Sequence, residues 1–376
     1  MQDFIIIGAG LAGLTAAWRL HQKCSSAKIT LIEKARVGGQ CVSVVSSGVA
    51  FDVGGHFCHN FEKLPDFFKP FNAECIDFEK NTYSIDSEGN CFHGMIQNFL
   101  PVQAAPEPDV SNLGKYLYSR FGQQIYSAFL LPYNEKLNVL PLEQCGIMQF
   151  AADRTPAKGT QSYNNFFKYP RRGGIGRLID WLWLQVAPFV DIVFGECEVI
   201  DSANQTIRLK SGETYQYQKA VFDSSPIVAA MNAQAYSSCV HVINGFAEAH
   251  DHFTCFNDPA WIYIATRQTP VFRIGNYEIC GAEQRNGMIP FYLESSLPVS
   301  EQDLYRFFAK WRLTATFRVP HAYPVTKLGF DLLKHERIAA DADRNHYWIG
   351  RYGKDEWFSM SDTILDTIRV VDQYLS

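Results

Sequence analysis

The sequence predicts an α/β fold in which a Rossmann-like dinucleotide-binding domain carries an inserted domain of helices and antiparallel sheet. Three observations predict it. A strand–helix–strand pattern occupies residues 4–34, and a G-x-G-x-x-G motif lies at its first strand-to-helix turn. The chain has 376 residues, more than the roughly 250–300 at which a single hydrophobic core stops growing, so two domains are expected.

Hydrophobic spacing defines the strand–helix–strand unit. Residues 4–7 (FIII) form a short apolar run that ends at a glycine, which is typical of a buried strand. Helical spacing follows from Leu11 to about Lys23, and residues 28–34 (KITLIEK) form a second strand of the buried type.

The same spacing rules predict the later elements. Residues 92–148 are expected to be mostly helical, and a second helix fits residues 174–186. The remaining predictions are strands at 190–200 and 206–226 with a turn at 211–213, strands at 260–266, 271–276, 291–296 and 314–319, and a strand, loop and closing helix over 345–375.

These elements predict domains that interleave along the chain. The dinucleotide-binding domain is expected to comprise residues 1–75, 187–255 and 326–376. The substrate-binding domain, a helical part plus an antiparallel sheet, is expected to comprise residues 76–186 and 256–325.

Composition narrows the function classes. With 19% charged residues and a net charge of −5, the chain has no basic stripe of the kind that nucleic-acid binders carry. No window of 18 apolar residues predicts a membrane span, and the opening residues MQDFIIIGAG read as a buried strand, not as a secretory leader. The ten cysteines form no C-x-x-C pair, so we expect a cytoplasmic protein with reduced thiols and no metal site.

The glycine motif predicts a pyrophosphate site. Gly8 permits the sharp bend after the first strand, and Gly10 lets backbone N–H groups approach a phosphate at the positive end of the helix. Gly13 lets the helix pack closely on the strand. Glu33 ends the second strand twenty residues after Gly13, where a carboxylate can accept hydrogen bonds from ribose hydroxyls. The alternative is a glycine-rich turn that binds nothing.

The residues after Glu33 carry a family resemblance. Glu33–Lys34, three residues and then Gly38–Gly39 resemble the glutathione-reductase-type FAD proteins. Together with YPRRGGIGRL (169–178) and IGRYG (349–353), they resemble the flavoprotein group of amine oxidases, protoporphyrinogen oxidases and UDP-galactopyranose mutases. The mutase-like branch is the nearest in FDVGGHFCHN (51–60), FLLPYNEKLNVLP (129–141), AWIYIATRQTPVFRIGNY (260–277) and YWIGRYGKDEWFSMSDTI (347–364).

This resemblance implies FAD as cofactor and a glutathione-reductase-type domain to hold it. In the glycine-rich stretch 51–60, it implies one wall of a flavin pocket with His56 beside the isoalloxazine, and not a metal site or a Cys58 nucleophile. The implied catalytic residues are His56, Arg273, Tyr323 and Lys168. The implied cofactor-binding residues are Gly8, Gly10, Leu11, Ala12, Gly13, Glu33, Lys34, Gly38, Gly39, Gly54, Gly55, His56, Val199, Gly350, Arg351, Met360 and Ser361.

The implied activity is ring contraction of a nucleotide sugar from pyranose to furanose through a reduced-flavin N5–sugar adduct, with NADPH or NADH as candidate external reductant. Arg273 would clamp the diphosphate, since a guanidinium pairs bidentately with phosphate oxygens; a salt bridge is its structural alternative. Three positions depart from the branch: Asn138 and Trp357 replace a tryptophan and a tyrosine, and Lys168 stands where some mutases carry arginine.

Two other functions remain open. One is an amine-oxidase-like or desaturating flavoenzyme with an amine or apolar substrate, and the other is a protein that keeps FAD as structure only. The partner expected is a small molecule, with neither nucleic acid nor membrane, and the chain is expected to be a monomer or a homodimer. Arg171 and Arg172 are expected to face solvent, and the mixed charges of residues 331–346 are expected to form a solvated helix and loop.

Overall fold

A computed structural model of the chain describes residues 2–79, 81–94, 96, 100–147, 166–232, 237–250, 261–325 and 327–376. It has the predicted α/β architecture: a mainly parallel sheet with helices on one face, joined to a mainly antiparallel sheet with its own helices. The described strands, numbered in chain order, are β1 Gln2–Ile7, β2 Ile29–Glu33, β3 Ser43–Ser46, β4 Val49–Asp52, β5 Cys75–Glu79, β6 Thr82–Ile85, β7 Cys91–His93, β8 Phe166–Pro170, β9 Val190–Phe194, β10 Cys197–Asp201, β11 Thr206–Leu209, β12 Thr214–Asp223, β13 Ser237–Ala249, β14 Trp261–Ile264, β15 Val271–Asn276, β16 Ile289–Ser295, β17 Phe308–Pro324 and β18 His346–Trp348.

The helices connect and cover these strands. The described α-helices are α1 Leu11–Lys23, α2 Lys69–Ala73, α3 Leu113–Phe121, α4 Gln123–Ile125, α5 Leu131–Asn138, α6 Gly176–Val186, α7 Ile227–Ala230, α8 Glu301–Tyr305, α9 Phe330–Ala342, α10 Gly350–Lys354 and α11 Met360–Leu375. A π-helical turn, Tyr126–Leu130, joins α4 to α5.

The first sheet has the strand order β10-β11-β12-β1-β2-β9, with β18 paired to the second half of β12. Strands β18, β12, β1, β2 and β9 run parallel, whereas β10 and β11 form an antiparallel meander with the first half of β12. Parallel strands are usually covered on both faces. In β1, Phe4 and Ile6 pack towards α1, α6 and α11, while Ile5 and Ile7 pack towards the meander.

The second sheet has the strand order β17-β13-β16-β15-β14-β6-β7 and is antiparallel except where β14 pairs with β6. One face packs around Phe291, Leu293 and Phe308. Helices α3 and α5 and the π-helical turn form a separate cluster around Leu117 and Phe129. Two small sheets, β3–β4 and β5–β8, lie between the larger ones in the chain.

The expectation of mostly helix over 92–148 is wrong in its first part. Residues 92–93 belong to strand β7, and the first described helix of this stretch begins at Leu113. Prolines at 101, 106 and 108 explain the lack of regular structure before it, since proline interrupts both helix and strand hydrogen bonding. Residues 95, 97–99 and 148 of that prediction, and Ala260 of a predicted strand, lie outside the described residues.

The division into domains remains a prediction, and two elements pair away from their expected side. Strand β13, placed with the dinucleotide-binding domain, hydrogen-bonds to β16 and β17 in the second sheet. Helix α6, placed with the substrate domain, packs on α1 in the core of the first sheet. Long-range pairing and packing determine both positions, and neither is visible in local spacing.

The solvated helix and loop expected at 331–346 are confirmed for most of the stretch, whose residues are largely exposed, but not for three of its side chains. The stretch contains α9 and the start of β18, and it buries Lys334, Asp341 and His346. Lys334 and Asp341 each have an oppositely charged neighbour, Glu356 and Arg337, because buried charges need partners, and His346 Nε2 lies 3.1 Å from Asp223 Oδ2. The mixed charges of this stretch therefore did not reveal which of its side chains form buried ion pairs.

Candidate functional site

A cavity of about 1480 Å³ opens at the carboxyl ends of the parallel strands and extends to the second sheet. It is larger than the roughly 300–1,000 Å³ of a typical small-molecule site. The ends of β1, β2, β12 and β18 contribute Ile7, Glu33, Asp223 and Trp348 to its lining. Ligands of open α/β sheets bind at this edge, so the cavity is the candidate functional site; we call it the central cavity.

The N-terminus of α1 faces the central cavity through Gly10, Leu11 and Ala12. No side chain caps this end of the helix, and its first turn contains no acidic residue. The first N–H groups of a helix lack intrahelical partners and carry partial positive charge. The turn therefore presents open donors to an anion. A Cβ atom at Gly13 would overlap the Gly8 carbonyl oxygen, so this position requires glycine for the predicted close packing.

The second glycine loop lies against the first. Gly38 donates its N–H to the Ala9 carbonyl at 2.9 Å. Gly38 and Gly39 have φ values of +120° and +57°, conformations that favour glycine. A Cβ atom on Gly39 would come within 3.3 Å of the Gly10 Cα. The two loops together leave backbone, without side chains, beside the helix N-terminus.

Glu33 lies at the end of β2 with its carboxylate held by backbone groups. Oε2 accepts the Ala9 N–H and Oε1 accepts the Ala35 N–H, each at 2.9 Å. An ionised carboxylate offers about four acceptor sites, so acceptor capacity remains for ribose hydroxyls. Lys34 and Val199 also line the central cavity, as predicted for cofactor-binding residues.

The segment after β4 forms a wall between the two sheets. Gly54 has a φ of +121°, and a Cβ atom on Gly55 would overlap the Tyr292 hydroxyl. Gly55 donates its N–H to Glu294 Oε1 at 3.0 Å. The glycine pair thus allows the backbone to pass close to β16, and it directs His56 into the lining of the central cavity.

His56 is electrically neutral at physiological pH. Burial, together with the positive charges of Arg351 and Arg273, lowers the pKa of His56 to about 4. Its Nδ1 atom is buried without a hydrogen-bond partner. A neutral imidazole with an unused ring nitrogen can donate or accept one hydrogen bond to a bound group.

Arg273 and Glu294 occupy paired positions on β15 and β16. Arg273 Nη2 lies 2.5 Å from Glu294 Oε2 and donates to the Tyr323 hydroxyl at 3.0 Å. Its guanidinium also lies 4.9 Å from the centre of the Trp261 ring. Burial by itself lowers the pKa of Arg273, but the negative charge of Glu294 and the surrounding tyrosines together outweigh it, and the pKa is raised. The salt-bridge alternative is therefore observed, although Arg273 also lines the central cavity.

Arg351 supplies a second guanidinium. Its Nη1 and Nη2 atoms donate to the carbonyls of Phe358 and Ala322 at 3.1 and 2.9 Å. Within the described part of the chain no carboxylate forms an ion pair with it, and its Nε atom is buried without a hydrogen-bond partner. Glu294 neutralises Arg273 and His56 is neutral, whereas the positive charge of Arg351 is not balanced by a salt bridge among the described residues.

Aromatic rings surround Arg351. The rings of Tyr323 and Trp357 stack at 4.8 Å with an interplanar angle of 20°. The guanidinium carbon of Arg351 lies 5.2 Å from the centre of the Tyr323 ring and 5.7 Å from that of Trp357. Cation–π contacts at such distances orient a guanidinium without neutralising it. Burial raises the pKa of Tyr323 to about 12, so its hydroxyl stays protonated.

The remaining predicted cofactor residues lie beside this group. Met360 lines the central cavity at the start of α11, and Ser361 donates its hydroxyl to the His59 carbonyl at 2.8 Å. Gly350, with φ +69°, packs so closely on Ala12 that a Cβ atom would overlap it. Ser361 thus joins the closing segment to the stretch 51–60, and Gly350 joins it to the start of α1.

Lys168 is the predicted catalytic residue that the structure places elsewhere. It pairs with Asp77 at 2.6 Å on the neighbouring strand β5 and does not line the central cavity. Arg171 and Arg172 are exposed, as expected for a solvent-facing pair. Cys58 is fully buried, and burial raises the pKa of its thiol well above the usual value, which leaves no thiolate for a nucleophile.

No role was predicted for Glu294, Trp261 or Tyr292. Glu294 lies in the predicted strand 291–296, but its pairing with Arg273 depends on the register of β15 and β16. Its available signal was an acidic residue inside a run of otherwise buried apolar type. Such a residue needs a partner, and an arginine on an adjacent predicted strand is the simplest one.

Among the described residues, no group of three or more histidine, cysteine, aspartate or glutamate side chains is arranged to hold a metal ion. No helix in the described ranges is long and apolar enough to cross a membrane.

Comparison with known proteins supports the fold. The NAD(P)-binding Rossmann-like domain family matches residues 6–73, which confirms the predicted domain type around the glycine motif. Among solved structures, a reduced UDP-galactopyranose mutase superposes with a TM-score of 0.83 at 19% identity, over 100% of this chain and 96% of that chain. No curated protein matches the chain by sequence.

Two further solved structures are similar over nearly their whole length. A protein assigned as a protoporphyrinogen oxidase, from Exiguobacterium sp. 255-15, superposes with a TM-score of 0.71 at 13% identity, over 100% of this chain and 99% of that chain. A putrescine oxidase variant with redesigned cofactor binding superposes with a TM-score of 0.67 at 12% identity, over 100% and 99%. The predicted resemblance to the FAD-dependent amine oxidase superfamily is therefore confirmed as a likeness of fold.

Proposed function

We propose that the chain is an FAD-dependent enzyme that converts a nucleotide sugar between its pyranose and furanose forms. The observation that carries this proposal is the uncompensated guanidinium of Arg351 in the lining of the central cavity, close to Arg273 and two stacked aromatic rings. A diphosphate is the chemical group that such a site favours, because guanidinium groups form charge-assisted bonds with phosphate oxygens.

The residues present fit FAD. The open N-terminus of α1 suits a pyrophosphate, and Glu33 retains acceptor capacity for a ribose. The partnerless Nδ1 atom of His56 lies where the flavin ring is expected. Reduced FAD would supply a nucleophilic ring nitrogen for the sugar carbon, with NADPH or NADH as the external reductant.

The side chains of this protein would bind and orient the substrate. Arg351 would neutralise the diphosphate charge, both in the bound substrate and as it leaves the sugar carbon. Arg273, held by Glu294 and Tyr323, would position one phosphate oxygen through the guanidinium N–H groups that remain. His56, as a neutral ring, adds no positive charge that would compete with Arg351 for that anion.

A second candidate is an oxidoreductase that acts on an amine or apolar substrate. The aromatic lining favours it, because Phe57, Trp261, Tyr263, Tyr323 and Trp357 all face the central cavity. Aromatic walls suit a cationic or flat apolar ligand. Arg351 opposes it, since an uncompensated guanidinium repels an amine cation and is costly to cover with an apolar molecule.

The test uses FAD-loaded protein reduced with dithionite, with UDP-galactose as the probe and chromatographic separation of pyranose and furanose forms. We expect interconversion without net consumption of reductant. Arg351→Met should lower kcat/KM by about 30-fold or more, and Arg351→Lys by less. Because the resemblance also implies a cofactor contact for Arg351, the variants are compared at equal FAD occupancy.

The alternative functions predict different results. No conversion of several nucleotide sugars, together with anaerobic bleaching of oxidised flavin by an amine and peroxide on readmitting air, would favour the oxidoreductase. Tight FAD binding with neither activity would favour a structural cofactor.

A further inference from the structure

Helix α9 buries a lysine beside the segment that leads to Trp357, one of the two stacked rings in the lining of the central cavity. The Lys334 side chain is 1% exposed, although it lies on a helix whose other face exposes Leu332 and Leu333. Lys334 does not line the central cavity. A lysine is almost never buried to this degree without a structural or functional reason.

The Lys334 ammonium is fully satisfied. Its Nζ atom lies 3.2 Å from Asp331 Oδ1, 3.0 Å from Glu356 Oε1 and 3.2 Å from the Asp355 carbonyl oxygen. An ammonium group has three donors, and three acceptors surround this one. Asp331 belongs to α9 itself, so the other two contacts join α9 to the segment 355–356.

The segment that Lys334 holds is the one that leads into Trp357. Asp355 has φ +49°, an uncommon conformation for a residue with a side chain, and it ends α10. Glu356 donates its N–H to the Arg351 carbonyl at 3.0 Å. The next residue, Trp357, stacks on Tyr323 and donates its indole N–H to the Pro324 carbonyl at 3.1 Å.

We infer that Lys334 is a positioning residue. It fixes the backbone at residues 355–356 and thereby determines how Trp357 stacks on Tyr323 and how it lies beside Arg351. Charge-assisted bonds to one ammonium resist displacement of a short strained segment. The aromatic face and the guanidinium that a substrate would meet then keep one geometry.

The first experiment does not depend on the substrate. The chain contains seven tryptophans; labelled with 5-fluorotryptophan, the FAD-loaded protein gives fluorine NMR signals, and the one from Trp357 is the signal that Trp357→Phe removes. We expect Lys334→Met to shift or split that signal while the others stay in place. Glu356→Gln, which removes one partner and keeps the shape, should move the same signal by less.

Lys354→Met is the matched control. Lys354 lies on α10, the short helix that Asp355 ends. It pairs with Asp366 on α11 at 2.7 Å, and its side chain is 14% exposed. Its replacement also deletes a partly buried ion pair, but that pair joins α10 to α11 and not to α9, so the Trp357 signal should not move. An unchanged Trp357 signal in both Lys334→Met and Glu356→Gln would overturn the inference, and the Glu356→Gln arm remains decisive if Lys334→Met does not fold.

The second experiment rests on the proposed function. In wild-type background, Lys334→Met should raise KM for the nucleotide sugar by about tenfold, with a smaller change in kcat. In a Trp357→Ala background the same change should have little further effect, because the ring that Lys334 positions is absent. If the changes in KM caused by Lys334→Met and by Trp357→Ala simply multiply in the double variant, the inference is overturned. Absence of any turnover by the wild type would contradict the proposed function and leave the fluorine result to decide on Lys334.

Discussion

Gly10 and Gly13 stand three residues apart in one motif, yet a methyl group would meet different surroundings at each. At Gly13 it would overlap the backbone of Gly8, whereas at Gly10 it would lie 3.6 Å from Gly39, an ordinary contact. Glycine at position 10 therefore keeps space free for a ligand, whereas glycine at position 13 is required for the close packing of α1 on β1.

We expect Gly10→Ala to keep the stability of FAD-free protein and to weaken FAD binding by at least about tenfold, because the methyl group holds a pyrophosphate away from the helix N-terminus. Gly13→Ala should instead lower the free energy of unfolding by about 1–3 kcal/mol, since the backbone must move. Urea unfolding and fluorescence titration with FAD measure the two effects. Equal losses of affinity and stability in both variants would contradict this division.

Arg273 and Glu294 form a buried ion pair whose members also serve other contacts. Removing one member of such a pair leaves a buried charge and typically costs about 3–5 kcal/mol. Glu294→Gln keeps an acceptor for the Gly55 N–H and isolates the loss of charge.

We therefore expect Glu294→Gln and Arg273→Met each to lower the free energy of unfolding by about 3 kcal/mol. The double variant should cost less than the sum, because no unpaired charge remains. Urea unfolding of the three variants gives the coupling energy. Strict additivity would mean that solvent in the central cavity screens the pair.

Helix α5 is linked to the hairpin of β14 and β15, which carries Arg273 to the central cavity. Lys136 Nζ donates to the carbonyls of Ile264 and Val271, at 3.0 and 2.7 Å, where β14 ends and β15 begins. Burial, with a smaller contribution from Arg267, lowers the pKa of Lys136 to about 7 from 10.5. Lys136 lies in the stretch 129–141 that resembles the mutase-like branch, but that resemblance does not indicate the hairpin to which the lysine bonds.

A lowered folded-state pKa means that the unfolded chain binds more protons between about pH 7 and 10.5. The free energy of unfolding should therefore rise with pH through this window and be lowest, for this group, below pH 7. Lys136→Met removes the titration, so its stability relative to wild type should fall as pH rises from 7 to 10. Urea unfolding at several pH values tests this, with the exposed Lys310→Met as control; a pH-independent difference would contradict it.

Local pattern predicted α1, α6 and α11 because each has a continuous apolar face. The same method missed β13 and found only six residues of β17. Most of β17 is exposed or half-buried and carries Lys310, Arg312 and Arg318, so it has no regular alternation. Its stability comes from pairing with β13 along twelve positions, which is a non-local property.

The residues of the central cavity also divide into those that local sequence predicts and those that depend on non-local strand pairing. The glycine motifs and Glu33 were predictable because the dinucleotide-binding unit is contiguous in sequence. Lys168 was misplaced and Glu294 missed, because their partners, Asp77 and Arg273, are brought to them by strand pairing. Resemblance identified Arg351, but its uncompensated charge follows only from the surroundings that the fold assembles.

Asp52 connects the parts of the molecule that form the central cavity. Its fully buried carboxylate accepts hydrogen bonds from Ser43 after the second glycine loop, from Tyr169 on β8 and from the Ile175 N–H before α6. Its backbone carbonyl accepts a bond from Asn244 on β13. Burial raises the pKa of Asp52 to about 7, although the three donors oppose the shift.

Because the pKa of Asp52 is higher in the folded than in the unfolded chain, its protonation adds to the free energy of unfolding. This contribution is fully present below about pH 4 and is lost as the pH rises to about 7. Asp52→Asn imitates the neutral carboxyl at every pH. It should therefore gain stability relative to wild type between pH 4 and 7, by on the order of 1.4 kcal/mol for each pH unit, and hold that gain above pH 7. Urea unfolding followed by far-UV circular dichroism and tryptophan fluorescence should show one transition for both large sheets, since Asp52 bonds to β13 of the second sheet and to Ile175, which packs in the core of the first. A difference that stays constant from pH 4 to 8 would show that the three donors hold Asp52 ionised, and two separate transitions would show that the sheets unfold independently of it.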